Sequence, residues 1–484
     1  MNLNLNDPSL LIERILIAGE WLKTDTTFSV DNPANGETIA NVANAGAAET
    51  VAAVEAASTA MLEWKQKTAK ERAGLLRRWF ELVLENQEDL AQILTAEQGK
   101  VLAEARGEIA YGAAYIEWFA EEAKRIYGDT IPEPAKDRRL VVIKQPVGVV
   151  ACITPWNFPS AMLTRKIAPA LAAGCTVVCK PASETPLSAF ALAELALRAG
   201  IPKGVINIVT GKSSKIGPVL TSHPSIRKLT FTGSTPVGKL LAEQCASSMK
   251  RTSMELGGNA PFIVFDDADL DAAIDGLMVS KYRNSGQTCV CTNRVLVQES
   301  VYSVFTEKLI AAVAKQLRLG EGTDQNATTG PLINEKAVAD VDRLVQDSIA
   351  MGARIVLGGK RSELGRCFYE PTVMLDVTND MPIAKEEIFG PIAPVIRFET
   401  EADAIRIAND TNVGLAAYFY TRDIGRVWRV GEDLEYGIVG INEGVISNEM
   451  APFGGVKESG SGREGSKYGI NDYLEIKYMC MGGI

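Results

Sequence analysis

The chain has 484 residues, of which 46% are hydrophobic and 23% charged, and a formal net charge of −10. Its length exceeds what one ordinary hydrophobic core holds, so two or more domains are expected. The acidic balance gives no electrostatic ground for nucleic-acid binding, no Lys/Arg block suggests a membrane surface, and a small molecule is the expected partner.

In chain order, the N-terminal stretch carries Asp7 and Glu13 and has no basic segment before an apolar run, so it reads as neither a secretory nor a transit signal. No apolar stretch reaches the ~20 residues of a membrane span. Residues 50–125 read as helix-rich, with an Ala-dense run from Val51 to Ala60 and an amphipathic stretch from Arg72 to Leu94. Residues 126–146, with Pro132, Pro134 and the β-rich Leu140 to Ile143, read as an excursion. From about 147 to 265 short β-rich runs alternate with helical patterns. Strands are expected at Val147–Ile153, Cys175–Cys179, Val205–Val209 and Lys228–Thr232, with helices at Ser160–Ala172, from Pro186 to near Gly200, and at Lys239–Ala246. This is the βαβ rhythm of a doubly wound sheet. Residues 260–445 repeat it, with strands expected at Pro261–Phe265 and Arg294–Val297. Tyr473 to Met479 is a strand candidate to join the excursion.

Histidine is nearly absent. The sole His223 lies in the turn-like Ser222-His223-Pro224-Ser225, where a structural or surface role is expected, so any general base should be a carboxylate. The eight cysteines lack two matched Cys-x-x-Cys knuckles, which excludes a structural zinc by spacing and leaves no expected metal. Reduced thiols of this kind suit the cytoplasm.

Three segments mimic phosphate sites. Gly460-Ser461-Gly462-Arg463-Glu464-Gly465 satisfies the dinucleotide fingerprint, but too little chain follows for a βαβ unit. Gly211-Lys212-Ser213 ends like a P-loop, yet Ile206 stands where that motif needs its first glycine. Both read as loops. Gly233-Ser234-Thr235-Pro236-Val237-Gly238 lacks the full fingerprint but lies between a strand and a helix, where backbone amides could receive a pyrophosphate.

Cys289 lies in Asn284-Ser285-Gly286-Gln287-Thr288-Cys289-Val290-Cys291, and Glu255 lies upstream in Met254-Glu255-Leu256-Gly257-Gly258. A soft nucleophile paired with a carboxylate suits covalent chemistry at a carbonyl followed by attack of water. With Pro155-Trp156-Asn157-Phe158-Pro159 and Glu386-Glu387-Ile388-Phe389-Gly390-Pro391, these segments resemble the aldehyde dehydrogenase superfamily over nearly the whole chain, most closely its bacterial succinate-semialdehyde branch.

The resemblance implies an α/β fold with a Rossmann-type cofactor domain (1–125 and 147–255), an α/β catalytic domain (256–445) and a small β oligomerisation extension (126–146 and 470–484). It implies Cys289 as nucleophile, Glu255 as base and Asn157 as oxyanion donor, and a homo-oligomer, dimer or tetramer. Trp156, Gly233, Ser234, Gly238, Glu387 and Phe389 would serve the dinucleotide, with Lys180 and Ser183 at the adenosine ribose. NAD-preferring relatives often carry Glu where this chain has Ser183, so NADP is expected to be preferred, with NAD possible beside Glu184.

Arg165, Arg283 and Ser447 resemble a carboxylate-binding set. The implied reaction is oxidation of succinate semialdehyde to succinate through a thiohemiacetal and thioester, within 4-aminobutyrate degradation. The alternatives are glutarate semialdehyde, one methylene longer, or another ω-carboxylated aldehyde. A coenzyme-A-acylating dehydrogenase would commonly lack Glu255, and a noncatalytic protein of this fold would not need Cys289, Glu255 and Asn157 together. Cys291 is a candidate redox partner of Cys289, provided the loop is bent enough.

Overall fold

The computed structural model describes residues 3–484. The helix-rich segment forms α1 (Ala47–Trp64), α2 (Ala69–Glu85), α3 (Gln87–Gln98) and α4 (Leu102–Glu122). The expected amphipathic stretch from Arg72 to Leu94 is two helices, divided at Asn86, whose φ of −109° and ψ of 19° leave the helical region. Amphipathic period carries across such a break because both helices turn their apolar faces to the same core.

The doubly wound segment follows: β1 (Val149–Ile153), α5 (Pro159–Ala173), β2 (Thr176–Lys180), α6 (Leu187–Arg198), β3 (Ile206–Ile208), a helix at Ser213–Ser222, β4 (Ile226–Thr232), α7 (Thr235–Ala246) and β5 (Arg251–Glu255). The sheet runs β3-β2-β1-β4-β5 with all five strands parallel. The antiparallel strands Ile15–Ile17 and Gly460–Ser461 flank the five. Both faces of this sheet are covered. Val149 and Ala151 enter one apolar cluster with Val54 and Ile216, and Val150 and Cys152 enter the other with Leu163 and Ile167. Burial on both faces is what makes β1, Val-Val-Ala-Cys-Ile, wholly apolar. Chain order reverses between β1 and β4, so the crevice at their carboxyl ends is where ligands bind in such sheets.

A second sheet holds β6 (Ala260–Val264) and β7 (Thr292–Gln298) at its centre, paired in parallel with Ala416–Tyr420 and Ile392–Phe398. A third is a small antiparallel sheet in which Leu474–Gly482 pairs along the length of Arg138–Pro146. The excursion and the C-terminal strand therefore do meet. No helix among the described residues is long and apolar enough to cross a membrane.

Two loop readings need correction. Gly460-Ser461 is a short edge strand beside β5, and Ser213 opens a helix directly after Gly211-Lys212. Each formed element is too short or too polar to show a period in sequence. His223 is half-buried, and its Nδ1 accepts the Ser225 N–H inside the turn.

Candidate active site

The loop Thr154–Phe158 leaves the carboxyl end of β1, Gly233 leaves that of β4, and Glu255 is the last residue of β5. Beside them lies a cavity of 240 Å³ lined by Trp156, Asn157, Met162, Thr232, Gly233, Ser234, Glu255, Cys289, Glu387 and Phe389 among others. Eight residues singled out from sequence thus share one chamber. Trp156 and Phe389 meet edge to face, their centroids 5.5 Å apart.

The loop carrying Cys289 is held in an unusual backbone path. Asn284 (φ 51°), Ser285 (φ 56°) and Gly286 (φ 78°) are consecutive left-handed residues. Two non-glycine residues there are strained, and such strain persists only where surroundings over-determine it. The Asn284 N–H donates to Glu104 Oε1 (2.8 Å) and Ser285 Oγ to the Gly330 carbonyl (2.7 Å). Gln287 Oε1 accepts the Ile333 N–H (2.9 Å), and a Cβ on Gly286 would fall 2.1 Å from the Gly390 carbonyl oxygen. Asn157 Nδ2 donates to the Gln287 carbonyl at 3.0 Å, which leaves its second amide hydrogen available, and Asn157 Oδ1 is buried without a partner.

Burial pushes the Cys289 thiol up to about 12, against the pull of the Arg165 charge. Glu255 is buried with neither carboxylate oxygen hydrogen-bonded among the described residues, and a Cβ on Gly454 would lie 2.9 Å from its Oε1. Burial first, then the negative charge of Glu464, raises its pKa well above the carboxylate range. Burial in the chamber therefore favours the neutral form of both groups, the thiol and the carboxyl. Cys291 is a free thiol, as is Cys289. The Cys291 N–H bonds to the Thr288 carbonyl at 2.9 Å, bending the segment, and its Sγ points to the carbonyls of Lys281 (3.6 Å) and Arg283 (3.9 Å).

The residues expected to grip a carboxylate do not line this chamber. Arg165 stands behind it, 1% exposed, its guanidinium 4.1 Å from the Phe453 ring centroid and 5.9 Å from that of Tyr115. Its Nε donates to Glu464 at 2.5 Å, while Nη1 and Nη2 are buried without partners among the described residues. Arg283 is half-buried over the face of Phe158, 5.0 Å from the centroid. Ser447 is half-buried next to Asn448, whose carbonyl accepts the Tyr115 hydroxyl at 3.2 Å.

Sequence reading missed Glu464 and Lys166. Lys166 also pairs with Glu464 and donates to Thr230 Oγ1 at 3.2 Å. Although burial opposes it, Lys166 and Arg165 together hold Glu464 below the usual carboxylate range. Glu464 lay inside the hexad dismissed as a false fingerprint. A usable signal existed at its partners: Arg165 and Lys166 are adjacent in a helix buried at every position, where unpaired charges would be prohibitive.

A second cavity, of 610 Å³, contains Trp156, Lys180, Ser183, Glu184, Ser213, Thr232, Gly233 and Ser234. Its features suit a dinucleotide. Among the described residues the α7 N-terminus has no side-chain cap, the buried Thr232 hydroxyl has no partner, and Lys180 Nζ bonds its neighbour's carbonyl at 3.3 Å. Gly238 does not line this cavity. A Cβ there would come within 2.3 Å of Leu256 Cδ2, so the glycine lets α7 pack against the end of β5. Glu387 takes the Gly258 N–H at 3.1 Å, and burial raises its pKa to about 7. Among the described residues no cluster of three or more His, Cys, Asp or Glu could hold a metal.

The family model for the aldehyde dehydrogenase family matches residues 21–479. A 3-sulfolactaldehyde dehydrogenase of Pseudomonas putida is 61% identical over 100% of this chain and 99% of its own. The glutarate-semialdehyde dehydrogenase of Pseudomonas aeruginosa is 61% identical over 100% of both chains. The NADP(+) succinate-semialdehyde dehydrogenase of Escherichia coli K12 is also 61% identical, over 99% of this chain and 100% of its own. The crystal structure of succinate-semialdehyde dehydrogenase from Burkholderia pseudomallei superposes with a TM-score of 0.98 at 61% identity, covering 99% of this chain and 100% of that one.

Proposed function

Because the chain belongs to the aldehyde dehydrogenase family, we propose that it oxidises succinate semialdehyde to succinate, with NADP preferred over NAD. The observation that carries the substrate is Arg165. A buried guanidinium with two unpartnered Nη atoms, behind a chamber that holds a cysteine and a carboxyl group, suits an aldehyde whose far end is an anion.

In this reading Cys289 Sγ, as thiolate, attacks the aldehyde carbon. Asn157 and a backbone amide steady the thiohemiacetal oxyanion. The nicotinamide, when bound, supplies the acceptor for the hydride that this carbon loses. Glu255 then takes a proton from the water that attacks the thioester, releasing the acid and the Cys289 thiol. Trp156, Gly233, Ser234, Glu387 and Phe389 would hold the cofactor near the chemistry, and Lys180 and Ser183 would hold its adenosine end. Arg165, Arg283 and Ser447 would take the substrate carboxylate.

The domain reading follows the two large sheets: residues 1–125 and 147–255 for the cofactor, 256–445 for catalysis, and 126–146 with 470–484 as an extension between subunits of a homo-oligomer. The chain would work in the cytoplasm, in 4-aminobutyrate breakdown.

Glutarate semialdehyde and 3-sulfolactaldehyde are the competing substrates, since both end in an anion and relatives named for them are as similar as the succinate-semialdehyde enzyme. One methylene changes selectivity by only about 1–3 kcal/mol. The test is kcat/KM for the three aldehydes and for butanal with NADP and NAD. Highest efficiency for succinate semialdehyde with NADP is expected, and butanal matching it would overturn the reading.

A further inference from the structure

α5 starts at Pro159, and its N-cap residue, Phe158, provides no side-chain hydrogen bond. A helix start leaves backbone N–H groups without intrahelical partners, which is costly where they are buried. Here the missing acceptor comes from α4. Glu108 Oε1 takes the Ser160 N–H at 2.9 Å and the Ala161 N–H at 3.2 Å. Its Oε2 takes the Lys100 ammonium at 2.5 Å, and the two side chains are 0% and 1% exposed. Lys100 Nζ also donates to the Asn157 carbonyl at 2.8 Å and lies 3.9 Å from the Phe158 ring centroid. The same carbonyl accepts Asn284 Nδ2 at 3.0 Å, from the loop that carries Cys289.

This buried pair holds the turn Asn157–Phe158 at both ends: the carbonyl on one side, the first α5 amides on the other. A buried ion pair is by itself a poor stabilising device, because well-packed apolar residues often serve as well or better. Its attachments on both sides of one active-site residue give it a positional role.

We propose that Lys100 and Glu108 are positioning residues that set the direction of the Asn157 side-chain amide toward Cys289. The proposal rests on the reading of Asn157 as the oxyanion donor. With one amide hydrogen on the Gln287 carbonyl, only one remains for the oxyanion, and a small tilt of the turn moves it out of line.

The test compares the rate of the first burst of reduced cofactor, with succinate semialdehyde and NADP, in Asn157→Ala, Lys100→Met, Glu108→Gln and the doubles with Asn157→Ala. Asn157→Ala should slow the burst by ~10² to 10³. Lys100→Met should slow it by roughly 30- to 100-fold, the scale of a misplacement near 1 Å. Glu108→Gln, which keeps an acceptor for the α5 amides, should slow it about tenfold on the same scale. Cofactor dissociation constants should stay at the wild-type value. In the Asn157→Ala background neither change should slow the burst more than about twofold further, because the group being positioned is gone. A merely structural role would make the losses multiply, and that outcome overturns the proposal, as does a wild-type burst in Lys100→Met with Asn157→Ala slow. If Asn157→Ala leaves the burst unchanged, the oxyanion reading falls and the positioning proposal with it. Should Lys100→Met fail to fold, the Glu108→Gln pair carries the same comparison.

Discussion

Arg165 and Glu464, 299 residues apart, meet through a single hydrogen bond from Nε, which leaves the guanidinium edge bearing Nη1 and Nη2 unbonded. Glu464 thereby compensates a buried charge without covering the face that a substrate anion would need. After burial, the same carboxylate is what most opposes the ionisation of Glu255, so the groups proposed for substrate binding and for hydrolysis belong to one buried cluster.

That sharing separates the two arginines. Losing one partner of a desolvated charge pair costs about 3–5 kcal/mol, so Arg283→Ala should lower kcat/KM for succinate semialdehyde by roughly a hundredfold or more, with butanal nearly unaffected. Arg165→Ala should impair both aldehydes, because it also leaves Glu464 with Lys166 alone. Equal losses on the two aldehydes in Arg283→Ala would remove that residue from the carboxylate site.

The two halves of the reaction should separate at Cys289 and Glu255. Cys289→Ala should abolish turnover. Glu255→Gln should give one burst of reduced cofactor in stopped-flow absorbance and then stall as the thioester. Steady turnover of Glu255→Gln at the wild-type rate would exclude Glu255 as the required base.

The pH dependence of thiol reactivity follows from burial. With the Cys289 pKa pushed up to about 12, the reactive thiolate is a minor form across the physiological range in the cofactor-free protein. Since the raised pKa favours the proton, its alkylation by iodoacetamide should rise about tenfold per pH unit from 7 to 9 without a plateau. A plateau below pH 8, read by peptide mass analysis, would show that the free protein already activates its cysteine.

Cofactor choice should respond to Ser183, which shares its cavity with Lys180. Ser183→Glu should raise KM for NADP far more than for NAD, because it sets a negative charge beside a 2′-phosphate. Unchanged preference would place the ribose elsewhere.

The Cys291 N–H bonds to the Thr288 carbonyl, so the segment is bent, while the Cys291 thiol faces backbone carbonyls. Peroxide should inactivate the wild type reversibly, with loss of two hydrogens from the active-site peptide, whereas Cys291→Ala should overoxidise and not recover on thiol reduction. Equal recovery of the two proteins would remove the protective role.

β1 to β4 were readable because buried strands are short runs between turn residues, and Val149–Ile153 and Thr176–Lys180 lie within about two residues of expectation, whereas β5, Arg251–Glu255, was not expected because its sequence is polar. The grouping of Cys289, Asn157 and Glu255 around one chamber was readable because all three lie in or beside glycine- and proline-marked segments. Glu108, Lys100 and Glu464 were not. They lie in segments far in sequence from the groups they hold, where a buried charge looks like a solvated one, and only the two cations within the apolar Pro159–Ala173 helix call for an anion. Gly238 misled in the opposite sense, since close helix packing and phosphate binding both select glycine.

The order of synthesis gives the location of Glu464 a further meaning. It is made 299 residues after Arg165 and 298 after Lys166. Nascent chains form their N-terminal parts first, at about 5–20 residues per second. For many seconds, then, the unfinished protein holds two cations destined for its interior and no anion to meet them. Closing the helix that carries them over the sheet is unfavourable until Glu464 arrives, so a ribosome that stops short of residue 464 releases a chain that lacks the anion these two cations meet.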